Sequence, residues 1–200
     1  MAKINYPIVT QSFELIRDQI AKILAEELDN QFVYTYDNLY KSIRVFTERF
    51  KPINESEYPM INVSMVRGDF ADQDIRNSQT LFSFFIDVYT SAKATKNNPG
   101  DEIATKTNHK LAGKCRFILK HSAYKTLGFL PGLIARVTVR SYQFDNKPDQ
   151  DAYSVCVGRI VLEVQAGDLD GLLVGKTQDG FLTDVKLFES DQGYNYFAVE

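Results

Sequence analysis

The sequence has no tryptophan and only two cysteines, Cys115 and Cys156, in 200 residues. The cysteines stand far apart and form no Cys-x-x-Cys pair. That excludes a disulfide-stapled scaffold and a cysteine-built zinc site, and fits reduced thiols in a core. No stretch reaches the roughly 18 consecutive apolar residues that a membrane-spanning helix needs. Met1 to Pro7 lacks the apolar segment of a secretory signal peptide. The expectation is a soluble chain with no membrane partner, not exported by such a signal. A surplus of positive charge is also missing. Lys and Arg total 23 against 26 Asp and Glu, a formal net charge of −3. A chain that held duplex nucleic acid along its surface would be basic, so bulk charge argues against nucleic acid as the main ligand. Internal repeats and low-complexity tracts are absent as well.

What is present is a globular composition. Hydrophobic residues make up 44% and charged residues 24%, enough for a core and too apolar for disorder. The length suits one domain, or one domain with an appendage.

The hydrophobic periodicity predicts a first helix over 9–30. Val9, Phe13, Ile16, Ile20, Ile23, Leu24 and Leu28 form its stripe, Thr10 or Ser12 its cap, and Asp29-Asn30 its end. Residues 31–41 read as irregular. Strand-like runs follow at 42–50 and 60–66, joined through Pro52 and Pro59. Residues 68–79 read as a polar loop. Leu81 to Tyr89 is the strongest strand, with Phe82, Phe84, Ile86 and Val88 on one face. Its other face, Leu81, Phe85 and Tyr89, is also apolar, which predicts a central strand covered on both sides. A second helix is predicted over 101–121, with Asp101 and Glu102 at its start and Lys120 at its end, complementing the dipole.

Two long strands, 134–144 and 153–166, are joined by a short polar link and predict a hairpin. In the second, the apolar phase flips near Gly158, which predicts a bulge there. Residues 167–200 carry glycines 167, 171, 175, 180 and 193 between short apolar runs. They read as an extended arm or small β appendage, too short for a core of their own. The expected fold class is α+β: a mainly antiparallel sheet packed by two amphipathic helices, with a core domain at 1–166 and an arm at 167–200.

Each candidate for chemistry meets an objection. Gly171 to Thr177 resembles a phosphate loop, but three residues rather than four separate Gly171 from Gly175. The position where the first glycine should stand is Asp170, whose carboxylate repels phosphate. His109 and His121 have no acidic or cysteine neighbour at metal spacing and read as surface histidines. No Gly-x-Ser-x-Gly elbow is present. Asp69, Asp72 and Asp74 lack the EF-hand spacing, and Asp145, Asp149 and Asp151 flank a turn, where aspartate is expected. The expectation is therefore no enzymatic site, no cofactor and no metal. Arg136, Arg140 and Arg159 fall on the predicted hairpin, with Arg136 and Arg140 on one strand face. They suit phosphate or acidic residues of a neighbouring subunit, and the acidic chain favours the second. With Phe181, Leu182, Tyr194, Tyr196 and Phe197 of the arm, they form a candidate subunit interface.

The order of elements carries a resemblance. An amphipathic helix precedes an extended segment, a strand after a proline (Tyr58-Pro59-Met60-Ile61-Asn62-Val63), a strand Phe84-Phe85-Ile86-Asp87-Val88-Tyr89, a helix and two long strands. Over residues 9–166 this layout resembles the tail terminator, or tail completion, proteins of tailed bacteriophages. The resemblance implies a structural virion protein, assembled in the bacterial host cytoplasm and located at the tail–neck junction. It implies a ring, commonly a hexamer, that caps the tail tube, with the tail tube protein and neck or head-completion proteins as partners. Nucleic acid would meet it only by passage through the ring lumen. The alternatives are another tail-tube, neck or head-completion protein and, behind these, a nucleic-acid or small-molecule binding module.

Overall fold

The computed structural model describes residues 7, 10–41, 43–52, 54–70, 79–130, 132–147, 153–167, 181–186 and 193–198. The chain divides into two compact units, Met1–Asp168 and Leu169–Glu200. The first has an α+β fold built on one five-stranded sheet, ordered β1 (Arg44–Thr47), β2 (Met60–Asp69), β3 (Gln79–Lys93), β5 (Tyr153–Gly167), β4 (Ile134–Lys147). β1 runs parallel to β2, and every other join is antiparallel. Helix α1 (Ser12–Thr35) packs on β1 and β2, and helix α3 (Gly100–Lys120) on β3, β5 and β4. Both helices lie on one face, because Ile16, Ile20, Leu24, Leu111, Cys115 and Ile118 join Phe82, Phe84, Ile86, Ile160, Leu162 and Val164 in a single core.

Helix α1 departs from the expected 9–30. Its N-cap is Gln11, whose backbone N–H donates to the Glu14 carboxylate at 3.0 Å, half of a capping box. Val9 lies outside the described residues. Asp29 and Asn30 stay helical and exposed, since Phe32 still packs against the core one turn on. The helix stops where Tyr36 turns left-handed (φ 54°) and its N–H reaches the Phe32 carbonyl at 2.8 Å. The segment expected to be irregular thus holds the last turn of α1 and a single-turn helix, α2 (Asn38–Lys41). Helix α3 follows its expected polarity, with Asp101 and Glu102 in the first turn and Lys120 in the last.

The expected bulge at Gly158 does not occur. β5 pairs with β3 without a break from Tyr153 to Gly167. Cys156, Gly158, Ile160, Leu162 and Val164 all occupy the helix-side face, while Val155 and Val157 occupy the other. Two separate apolar rows were there to be read as one row changing phase. Gly158 is small because Asn108 and Tyr142 fill its place: a Cβ there would stand 2.2 Å from the Asn108 Oδ1 and 2.6 Å from the Tyr142 hydroxyl. The register shifts fall instead in β4, at Ala135 and Arg140, and in β2, at Val66. The shift at Arg140 puts Tyr142 and Phe144 on the same side as Val137 and Val139.

The sheet is not covered evenly on both faces. At β2 and β3 the segment 48–59 crosses the face away from the helices. There Arg49 N–H donates to Asn62 Oδ1 at 2.8 Å, the Tyr89 hydroxyl donates to the Phe50 carbonyl at 2.6 Å, and Pro52 is buried. Beyond it, Leu81, Phe85, Val155, Val157 and Val161 are only half-buried.

In the second unit, β6 (Phe181–Lys186) pairs antiparallel with β7 (Gly193–Ala198). Leu182 stands opposite Phe197, Thr183 opposite Tyr196 and Val185 opposite Tyr194.

Candidate functional site

A groove of about 660 Å³ lies on the face away from the helices, walled by Phe50, Tyr58, Tyr89, Val157 and Arg159. Adjacent strands build it. Asp87 of β3 stands in register with Arg159 of β5, and Arg159 with Gln143 of β4. The Arg159 Nε and Nη2 donate to the two Asp87 carboxylate oxygens at 2.6 and 2.8 Å, and the guanidinium lies 4.1 Å over the Phe85 ring. This is a two-pronged ion pair floored by an aromatic ring. Asp87 is its buried member, with 5% of its side chain exposed against 39% for Arg159. The hydrogen bond to Asp87 raises the Arg159 pKa above its ordinary value, against the opposing effect of burial. Burial pushes the Tyr89 phenol up to about 12, so it stays a hydrogen-bond donor at neutral pH. The groove therefore presents polar groups already engaged with one another. It is equipped to shape and hold a contact.

The other arginines lie elsewhere. Arg136 faces Gln165, six residues along β5 from Arg159, roughly 20 Å at strand spacing. It lines a groove of about 440 Å³ with Lys120, Lys125 and the strand edge at Val137. Arg140 donates to Glu163 at 2.6 Å. Two of the three candidate interface arginines thus have partners within the chain. Phe181 and Leu182 lie in β6, and Tyr194, Tyr196 and Phe197 in β7.

Both histidines are exposed. His109 stands edge-on to Phe144, ring centres 4.9 Å apart. His121 Nδ1 accepts the Ala123 N–H at 3.3 Å and so caps a 3-10 turn, Ser122–Tyr124. Among the described residues no three His, Cys, Asp or Glu side chains gather as metal ligands would. Both cysteines are buried and form no disulfide with each other, and burial lifts the Cys115 thiol to about 12. No described helix is long and apolar enough to cross a membrane. The phosphate-loop lookalike at 171–177, together with Asp72, Asp74, Asp149 and Asp151, lies outside the described residues. Asp69 ends β2 and accepts from Arg67 at 2.7 Å.

Two polar residues that organise the sheet, Asp87 and Asn108, do not stand out as a site in the sequence. Asp87 was visible as a lone charge in an apolar strand, which calls for a partner, but that partner is 72 positions away. Asn108 is fully buried in the α3 stripe. Its amide donates to the Val88 carbonyl at 2.7 Å and the Cys156 carbonyl at 3.3 Å, and its oxygen accepts from the Tyr142 hydroxyl at 2.9 Å. Its spacing within the stripe, between Ala104 and Leu111, was the signal.

No family model matches this chain, and no curated protein does. Among solved structures, a chain described as "Virion of native gene transfer agent (GTA) particle" is similar at 16% identity and a TM-score of 0.39, covering 61% of this chain and 77% of that one.

Proposed function

We propose that this chain is a structural subunit of a phage-like virion, acting as the tail terminators it resembles do. Copies close into a ring, six in the commonest form, that caps the tail tube and joins it to the neck or head. The observation that carries the reading is the uneven cover of the sheet. Two helices shield one face, while the other leaves Leu81, Phe85, Val155, Val157 and Val161 half-buried beside Phe50, which is 94% exposed. Apolar surface of this kind, rimmed by charged groups, is what a repeated protein contact buries. The fixed polar groups of the groove suit holding a neighbour in register. The order of elements that carries the resemblance, from the first helix to the final hairpin, is kept in the fold. In this reading residues 1–166 are the ring-forming core, and 167–200 are an arm that engages a neighbour. Arg136, Arg140, Arg159, Phe181, Leu182, Tyr194, Tyr196 and Phe197 contribute to the contacts.

Light scattering on the full chain, with negative-stain images of the same sample, tests this. Closed rings of one size are expected. Open stacked tubes would instead indicate a tail-tube protein. A strict monomer that also fails to bind purified tail tubes would overturn the proposal. Removing 168–200 is expected to leave a folded core that no longer assembles. Loss of the core's circular dichroism on truncation would show that the arm belongs to the core.

A further inference from the structure

Charge is unevenly placed in this chain. Residues 103–144 hold eight Lys and Arg, two His and no Asp or Glu, so this segment carries +8 in a chain of net −3 and leaves −11 on the remainder. The unit Leu169–Glu200 alone holds six acidic and two basic residues. Folding places the segment as α3, the turn after it and the edge strand β4.

Part of this charge is answered within the first unit. Lys106 pairs with Glu102, Lys110 with Asp37 and Arg140 with Glu163, and Lys114 donates to Gln31. Arg116, Lys120, Lys125 and Arg136 are exposed and have no ion-pair partner among the described residues. Three of them, Lys120, Lys125 and Arg136, line the groove of about 440 Å³ between the end of α3 and β4, with Arg136 at a strand position whose register partner, Gln165, belongs to the far face. Its floor is apolar, from Leu119, Val137 and Val139. β4 is the last strand of the sheet, and its outer edge has no strand partner among the described residues. Phe117 on α3 and Leu130 before β4 are 66% and 76% exposed. Glu27, which lines a recess with Phe117 and His121, already accepts a hydrogen bond from the Tyr124 hydroxyl.

We infer that this basic ridge is the seat for an acidic surface of a second copy of the same chain. The inference rests on the assembly reading and deepens it by naming one side of the contact. Each copy carries both halves of a complementary pair: four cations on this flank with no ion-pair partner among the described residues, and an excess of acidic residues over the rest of the chain. A contact between unlike patches is head-to-tail, the kind that closes into rings. Overall repulsion between two chains of −3 does not prevent it, because charges beyond about 8 Å are largely screened at physiological salt while those in contact are screened much less. Duplex nucleic acid fits less well. Four unanswered cations give a salt slope of only about −4, and phosphates have no use for an apolar floor or a free strand edge.

The test uses the full chain and the charge-reversed variant Lys120→Glu/Lys125→Glu/Arg136→Glu. The neutral variant Lys120→Gln/Lys125→Gln/Arg136→Gln serves as a second probe, and a thermal melt of each checks folding. Sedimentation velocity at low and high sodium chloride reads self-association. The wild type is expected to associate, more weakly as salt rises. Reversal should weaken association by about 10-fold or more, and the neutral variant should fall between. Wild-type oligomers indifferent to folded variants of both kinds would overturn this inference and leave the assembly reading standing. A wild type that stays monomeric at every salt would overturn this inference, and one that also fails to bind purified tail tubes would remove the ring reading with it. Binding of a DNA duplex that the reversal abolishes, with self-association unchanged, would assign the ridge to nucleic acid and also overturn the inference.

Discussion

Phe84 and Phe85 are neighbours in β3. One is fully buried under the helices, while the other is half-buried on the far face beneath the Arg159 guanidinium. The whole sheet divides in this way. The helix-side face is a largely apolar core that takes in a polar network around Asn108, whose amide is satisfied on both sides. The far face mixes half-buried apolar residues with ion pairs between strands, Asp87–Arg159 and Glu163–Arg140. The first arrangement stabilises the fold through packing. The second leaves apolar area uncovered and fixes charges in place, which suits a surface that another protein completes.

The largest expected effect tests that division directly. Phe84→Ala should cost about 3–5 kcal/mol in urea denaturation, the usual range for deleting a buried phenylalanine. Phe85→Ala should cost roughly 1–2 kcal/mol, since its ring keeps water on one side and loses mainly the guanidinium contact. Equal losses would mean that the far face is as much a core as the helix side. Next comes Gly158→Ala, at about 2–3 kcal/mol, because the new methyl must displace Asn108 or Tyr142 in a packed layer. In a double-mutant cycle, Gly158→Ala with Asn108→Ala should lose less than the two single losses together, since the first removes room that the second gives back. Strict additivity would mean that the glycine is small for some other reason.

The same contrast explains what could be read in the sequence. The helix-side face was legible because packing repeats. The rows of α1 and α3 and the Phe82, Phe84, Ile86, Val88 row of β3 each announce themselves by period, and so did the pairing of the last two strands. Cover on the second face of β3 was not legible. An apolar row at Leu81, Phe85 and Tyr89 reads the same whether the chain itself or another protein lies over it. The misplaced bulge has a related cause. Val155 and Val157 face the groove rather than the helices, and nothing local distinguishes the two surroundings. For the candidate site, residue types and strand positions were readable at Arg136, Arg140 and Arg159. Their partners were not, because Asp87 and Glu163 meet them only through the register of separate strands. The acid-free run from 103 to 144 was plain in the sequence, and only the fold shows which of its cations line one groove.

The far-face ion pair predicts an asymmetry. Arg159→Ala leaves the Asp87 carboxylate buried and unpaired, whereas Asp87→Ala leaves a guanidinium already partly in water. The first should cost about 2 kcal/mol and the second about 1 kcal/mol, with solvent screening reducing both below the values of a fully buried pair. Denaturation midpoints of the two variants check this. The reverse order would mean that the arginine, not the aspartate, is the member that the fold keeps from water.

The smallest effect concerns alkaline pH and compares one tyrosine from each face. Burial is the main cause that pushes both Tyr89 and Tyr142 up to about 12, against about 10 for an unfolded tyrosine. Between these values the unfolded chain releases phenolic protons that the folded chain retains. Stability therefore falls as pH rises past about 10, and the loss is complete only near 12. Tyr89 is 8% exposed under the 48–59 crossing, while Tyr142 is 38% exposed at the edge of the helix-side layer. Ionisation of Tyr142 is thus partly relieved by water, and Tyr89 should account for more of the alkaline loss. Denaturation midpoints measured from about pH 9 to about pH 11 should fall less steeply in Tyr89→Phe than in wild type, with Tyr142→Phe between the two. At neutral pH, Tyr89→Phe should lose about 1 kcal/mol for its hydrogen bond to the Phe50 carbonyl. If Tyr142→Phe flattened the alkaline fall more than Tyr89→Phe, the crossing segment would be letting water through. The far face would then be open along its whole length, not only beyond β3.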